Sequence, residues 1–417
     1  MRLCDFRSAL IVAAILLALS GCKSGIRQTP GAVRLSSSDV DGAEPAIASG
    51  PDGSVYVAWV NHGQTRASDL MVARLTSEGA MRGAAVRVNP DPGMATAWRG
   101  DPPTIAVAPD QTVFIGWTAR VETEAGHATE IYVSASRDQG RTFGQPVKIN
   151  DDKVPAEHGM HSLAIGTDGR VYVAWLDERN VAPMPATDQK MKEGTSGHHM
   201  ESNREVFMAS SGDGGRSFSA NKRVASDACP CCKTALAVGG DGRVYVSWRQ
   251  VLPGDFRHIA VASSNDQGQS FTEPKIVSDD QWMLAGCPVS GPSLLAGADG
   301  RLRVLWYSAG KNGETGLYAS ESTDAGKTFG PRLLVSKGQT RGTPVLVKAG
   351  TGVAAVWEDN GHQIVAALLD QNSTAALQTI GSGALPAAVE TPTHMFTAYI
   401  AKAERPAVWV VSTKRLN

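Results

Sequence analysis

The chain has 417 residues, with 40 basic and 41 acidic side chains and a formal net charge of −1. Near neutrality offers no attraction to a phosphate backbone or an anionic bilayer, which argues against nucleic-acid binding and against membrane docking by charge. Glycine, at 44 residues, makes up about a tenth of the chain against a usual ~7%, a composition suited to many short strands joined by many turns.

At the N-terminus, Arg2 and Arg7 form a positive region, and Ala9 to Leu19 an apolar run too short to span a bilayer permanently. Leu19-Ser20-Gly21-Cys22 resembles a bacterial lipobox. That resemblance implies cleavage before Cys22, acylation of its thiol and, with Lys23 next in place of Asp, sorting to the outer membrane. The expected organisation is a lipoprotein signal peptide over 1–21, a tether over 22–31 and one folded unit over 32–417. The expected location is the bacterial cell envelope, facing periplasm or exterior, with the lipid anchor as the sole membrane contact.

Beyond the tether, tryptophans end apolar strands at Trp59, Trp117, Trp175, Trp248, Trp306 and Trp357, at spacings of 58, 58, 73, 58 and 51 residues. An apolar strand and a turn precede each one, as Pro45-Ala46-Ile47-Ala48 and Asp52-Gly53 precede Trp59. The Asp-Gly pair is expected to supply the positive-φ residues of a tight hairpin. Outer strands share a pattern too: Val86-Arg87-Val88, Val147-Lys148-Ile149, Lys275-Ile276-Val277 and Leu333-Leu334-Val335. Radially repeated units of four antiparallel strands make an all-β propeller. The long third interval predicts an insertion over Asp177 to Asn203, whose Met184, Met191, His198, His199 and Met200 could contact a metal.

A further copy follows the sixth tryptophan. Pro386 to Val389 matches a first strand, Met395 to Tyr399 a second and Val408 to Val411 a third. Val33-Arg34-Leu35-Ser36 matches the missing outer strand and would close the ring, removing its free edges. The expectation is therefore seven blades, with six as the alternative.

Within these repeats, a second turn recurs. It reads Ser136-Arg137-Asp138-Gln139-Gly140-Arg141-Thr142-Phe143, and returns from Ser211 to Phe218, Ser264 to Phe271 and Ser322 to Phe329. The Asp is expected to hydrogen-bond backbone two residues ahead, and the aromatic to plug the core. These four copies resemble the Asp-box (BNR repeat) of the sialidase superfamily and other β-propellers. The motif is a structural turn and carries no chemistry of its own.

Chemistry is expected on the opposite face, in the loops leading into the first strands. Cys229 and Cys287 each lie nineteen residues before a blade tryptophan and each precedes Pro, with Cys231 and Cys232 alongside. The corresponding loop of the third unit holds His158, Met160 and His161. With Cys4 lost in the signal and Cys22 acylated, four cysteines remain in an oxidising compartment, so one or two disulfides are the default. The alternative is a soft-metal site for copper or zinc. Gly239-Gly240-Asp241-Gly242 reads as a hairpin and not a phosphate loop, since no helix follows.

The sialidase resemblance implies an arginine triad, a Tyr/Glu nucleophile pair and an acidic proton donor. The family's Arg-Ile-Pro motif is absent, and Glu44-Pro45-Ala46 stands there. Residues after the blade tryptophans supply Arg249, Tyr307 and Glu358, while Arg341, Arg99 and Asp101 lie in loops on the same face. Tyr307 with Glu358 would be the nucleophile pair, and Arg249 with Arg341 the carboxylate clamps. The working reading is a monomeric envelope lipoprotein that binds a small ligand, a glycan, a soft metal or an envelope protein on the Cys/His-bearing face. An exo-sialidase-like glycoside hydrolase is the alternative.

Overall fold

The computed structural model describes residues 31–63, 67–96, 100–123, 126–181, 203–297, 299–370, 374, 376–401 and 405–414. The signal region with Cys22, Arg99, and the insertion residues Met184, Met191, His198, His199 and Met200 lie outside them.

Every strand pair is antiparallel. After β1 (Val33–Arg34) comes a sheet of β2 (Asp41–Ser49), β3 (Val55–His62), β4 (Ser68–Leu75) and β5 (Val86–Arg87). The next holds β6 (Thr104–Val107), β7 (Val113–Thr123), β8 (Gly126–Ser136) and β9 (Val147–Lys148). Then follow β10 (His158–Ile165), β11 (Val171–Asp177), β12 (Arg204–Ser211) and β13 (Lys222–Ala228). These are continuous with β14 (Ala235–Val238), β15 (Val244–Leu252), β16 (Phe256–Ser264) and β17 (Lys275–Ile276), because Ala228 pairs with Gln250 and joins the two groups into one sheet. Two more sheets are β18 (Ser293–Ala296), β19 (Leu302–Ser308), β20 (Gly316–Ser322) and β21 (Leu333–Lys337), and β22 (Thr340–Ala349), β23 (Gly352–Asp359), β24 (Gln363–Leu369) and β25 (Gln378–Ser382). The last is β26 (Ala384–Glu390), β27 (His394–Ala401) and β28 (Ala407–Lys414), with β1 as its fourth strand. Val33 pairs with Val410 and Arg34 with Trp409, so the N-terminal strand completes the C-terminal sheet as its sequence suggests.

The core lies between sheets. Trp175 on β11 packs with Phe114, Ile131 and Val133 of the preceding sheet. Trp59 packs likewise on Phe396, Ala398 and Val410 of the last sheet. All six blade tryptophans are buried, and truncating one would cost about 3–5 kcal/mol. Three are also tethered two residues on, with Nε1 of Trp59, Trp175 and Trp248 donating to Asn61 (2.7 Å), Asp177 (2.7 Å) and Gln250 (2.6 Å).

Both turn families form, each differing from expectation in one detail. In the first, Gly53, Gly169 and Gly242 take φ of 79°, but the preceding Asp does not enter the left-handed region. The Asp carboxylate instead accepts the amide two residues on, as Asp52 does from Ser54 (3.0 Å) and Asp241 from Arg243 (3.0 Å). Glycine therefore takes the left-handed position of these three-residue hairpin loops, and Gln111 (φ 71°) does so in the second sheet. In the Asp-box, the Asp reaches three and four residues ahead, not two. Asp138 Oδ1 accepts from the amides of Arg141 (3.1 Å) and Thr142 (2.9 Å), and Oδ2 from the Thr142 hydroxyl (2.6 Å). Gly140 donates its amide to Ser136 Oγ at 2.8 Å, closing the loop. Phe143, Phe218, Phe271 and Phe329 all pack against core clusters, as the motif requires.

On the other face, several first strands begin with a bulge that periodicity does not reveal. Register slips between Ala43 and Ala46, Gly159 and Ser162, Arg341 and Val345, and Ala384 and Ala387. At these bulges Glu44, Met160 and Leu385 adopt φ of 51°, 53° and 49°. Left-handed backbone at non-glycine residues is costly, and here it recurs at one end of the fold.

Candidate functional site

The cysteines meet where β13 gives way to β14. Cys229 still belongs to the ladder, donating its amide to the Arg249 carbonyl at 2.8 Å, and its side chain enters the core with Met160, Trp248 and Val251. The chain then turns at Pro230. Cys231 thereby reaches the loop before β18 and forms a disulfide with Cys287, Cα to Cα 6.0 Å. The repeat position that pairs Cys229 with Cys287 in the sequence is thus displaced by two residues, because the Cys229 side chain is already committed to the core. Cys229 and Cys232 keep free, buried thiols, and Cys229 Sγ lies 3.9 Å from Cys231 Sγ. The Cys232 thiol and, behind it, Arg249 and Arg257 hold the Cys229 thiol below the ordinary range. Burial, reinforced by Cys229, pushes the Cys232 thiol up.

His158 and His161 face carboxylates. His158 donates from Nδ1 to the Thr129 carbonyl (2.6 Å), and its Nε2 lies 3.2 Å from Asp152 and 3.4 Å from Asp177. Burial alone would lower its pKa, but the two carboxylates outweigh that and raise it. His161, fully buried, puts Nδ1 3.4 Å from Asp101. The group of metal-capable side chains formed by the described residues is Cys229, Cys231 and Cys232, without either histidine.

Asp101 is the hub of a second cluster. It accepts from Thr118 Oγ1 (2.6 Å) and Lys233 Nζ (3.1 Å), and Lys233 also donates to the Pro102 carbonyl (2.7 Å). Burial works against its charge, but Lys233 and His161 more than offset this and keep the carboxylate ionised. Asp101 and Thr118 line a cavity of about 320 Å³ between the second, third and fourth groups of strands. Its polar wall adds Arg120, Glu157, His158 and Arg204, and its apolar wall Met160, Leu176, Pro230 and Cys231. Lys233, Arg120 and Arg204 escape sequence reasoning. Lys233 follows the cysteines directly, yet nothing local marks its partner 132 residues away.

Arg249, Tyr307, Glu358 and Arg341 line neither this cavity nor a second one, lined from β2, β6, β10, β14, β18, β22 and β26. Arg249 is fully buried, donating Nε and Nη2 to the Ser290 carbonyl (3.1 and 2.8 Å) and Nη2 to the Tyr307 carbonyl (2.9 Å), above the Trp282 ring. Tyr307 packs edge-on against Trp282, and burial pushes its hydroxyl pKa up. Glu358 meets His362 Nδ1 at 2.7 Å and accepts the Leu385 amide at 3.3 Å. Arg341, exposed, stands opposite Glu358 across the β22–β23 ladder.

A model of the BNR repeat-like domain family matches residues 53–365. No curated protein matches the chain. Among solved structures, a protein of unknown function from Dyadobacter fermentans DSM 18053 is similar at a TM-score of 0.51 and 12% identity, over 94% of this chain and 100% of that one. The Hadza microbial sialidase Hz136 is similar at 0.51 and 13%, over 86% and 76%. The Penicillium chrysogenum alpha-L-arabinanase, solved with arabinobiose, is similar at 0.50 and 13%, over 75% and 92%. At such identities the likeness is one of fold.

Proposed function

The chain belongs to the BNR repeat-like domain family, and from that premise we propose that it is a ligand-binding propeller whose site is the cavity on the Cys/His-bearing face. The ligand class is a small glycan. The carrying observation is a cavity wall that combines carboxylates and guanidinium groups, suited to sugar hydroxyls, with an apolar strip of Met160, Leu176 and Pro230 suited to a sugar's non-polar face. Binding is favoured over hydrolysis. Asp101 is held ionised and so is a poor proton donor, and Tyr307 and Glu358 stand outside the cavity.

In this reading the protein is a monomer of seven four-stranded blades closed into a ring. Supporting this, the second cavity, of about 360 Å³, is lined from β2, β6, β10, β14, β18, β22 and β26, and Trp59 packs against the last sheet. The reading also has the chain exported and anchored at Cys22, on the strength of Leu19-Ser20-Gly21-Cys22. Cys22→Ala should then release it from membranes.

Titration calorimetry against a panel of neutral and carboxylated monosaccharides and disaccharides tests the site, with a fluorogenic sialoside as the turnover control. Saturable binding that weakens about tenfold or more in Arg120→Ala, without turnover, is expected. Binding that Arg120→Ala leaves intact would sink this assignment, and turnover would favour the hydrolase.

A further inference from the structure

Cys229, Cys231 and Cys232 hold their sulfurs within 4.8 Å of one another, all buried, and Cys287 is bonded to one of them. Thiolates at about 2.3 Å from one tetrahedral cation stand about 3.8 Å apart. The 3.9 Å between Cys229 and Cys231 matches that spacing. Three thiol-bearing positions have therefore converged at coordination distance, with a fourth alongside.

A second observation points the same way. Arg249 is fully buried and Arg257 almost so, and Nη1 of each has no hydrogen-bond partner. Arg249 adjoins the cluster, its carbonyl accepting the Cys229 amide at 2.8 Å. A buried, unpartnered cationic N–H is costly unless an anion faces it. Asp255 lies 3.8 Å from Arg257 Nη2, whereas Arg249 meets carbonyls on its other N–H groups and the disulfide carries no charge. Four thiolates carry two net negative charges around Zn(II) and three around Cu(I), and the buried Arg249 would face that charge.

We propose that reduction of the Cys231–Cys287 disulfide converts the cluster into a four-thiolate site for one soft d10 cation, Zn(II) or Cu(I). The disulfide form is the metal-free state. The reductant is a dithiol. Its first thiolate attacks Cys231 Sγ, which borders the cavity, and Cys287 leaves as the thiolate and takes up a proton. The second thiol then displaces Cys231, and the reductant departs as its own disulfide, having delivered two electrons and two protons. Metal binding releases the thiol protons to solvent. The two readings share the cavity wall at Cys231, but their tests are separate, the metal read at Cys229 and Cys232 and the glycan at Arg120.

The test uses the full-length chain, either oxidised or reduced with dithiothreitol and desalted without oxygen. Zn(II) and Cu(I) uptake is read by competition with chromogenic chelators, and Co(II) serves as the spectroscopic probe of tetrahedral thiolate coordination. Expected are one equivalent bound by the reduced chain, none by the oxidised chain, and thiolate-to-Co(II) charge-transfer bands on reduction. A Cys229→Ser/Cys232→Ser variant with unchanged circular dichroism should bind more than about 100-fold more weakly. Equal uptake by oxidised and reduced chains, a comparison that needs no substitution, would overturn the proposal. So would uptake by the double variant equal to that of the reduced parent.

Discussion

Cys231 is bonded to Cys287 between neighbouring groups of strands, across 56 residues of sequence, with their Cα atoms 6.0 Å apart. The bond joins the loops that lead into β14 and β18, which belong to different sheets. Its effect on stability should therefore be separable from that of the sheets themselves.

Closing a loop of this length restricts the unfolded chain and stabilises the fold by about 2–4 kcal/mol. Cys287→Ser should lower the urea midpoint correspondingly under oxidising conditions. In the presence of dithiothreitol the variant and parent should unfold together. A variant as stable as the oxidised parent would mean the bond adds no net stability.

The Asp-boxes should make the fold acid-sensitive. Asp266 and Asp324 are lowered to about 2 from an ordinary 3.8, first because the Ser270 and Thr328 hydroxyls donate to them. A depressed carboxylate pKa contributes stability that is present above the unfolded value and lost as pH falls through the folded value. The urea midpoint should thus decline between about pH 4 and pH 2, and Asp266→Asn should reduce the steepness of that decline. Parallel pH profiles for parent and variant would remove the Asp-box from the explanation.

Lys233 and Asp101 form a largely buried pair with Nζ to Oδ1 at 3.1 Å. Lys233→Met would strip the buried carboxylate of its ammonium partner, leaving Thr118 and His161 beside it, and should cost about 3–5 kcal/mol. Adding Asp101→Asn removes the stranded charge and should recover part of the loss. A double variant no better than the single one would show that the pair is not electrostatically coupled.

Arg249 holds the Ser290 and Tyr307 carbonyls of the next group of strands. Arg249→Ala should destabilise the protein by about 3 kcal/mol or more, and Arg249→Lys should rescue little, because an ammonium cannot reproduce the planar fork. Unchanged stability with lost ligand affinity would instead favour the carboxylate-clamp role implied by the sialidase resemblance.

Deleting residues 31–39 removes β1 and exposes the edge of β28. Aggregation in light scattering should rise, since an open edge pairs with other chains. A soluble and equally stable truncated protein would count for a ring of six complete blades.

What could be read directly was whatever chemistry stays local. Asp52-Gly53, the four Asp-boxes and the strands ending in tryptophan each form within a few residues, so composition and spacing determine them. The match of Val33-Arg34 to an outer strand was also visible, because an edge strand carries its pairing pattern in its own side chains. Beyond that range, sequence period was a poor guide. Equivalent positions suggested Cys229 opposite Cys287, but the ladder bond from the Cys229 amide and the turn at Pro230 handed the disulfide to Cys231. His158 and His161 looked like metal ligands beside cysteines, and the bulge at Met160 sits between them while each meets a carboxylate. Lys233 finds Asp101, and Arg249 the Tyr307 carbonyl, across sheet boundaries. Such contacts depend on strand register and on how one sheet seats against the next. Those are set by packing between segments far apart in the chain, and only the tertiary structure decides them.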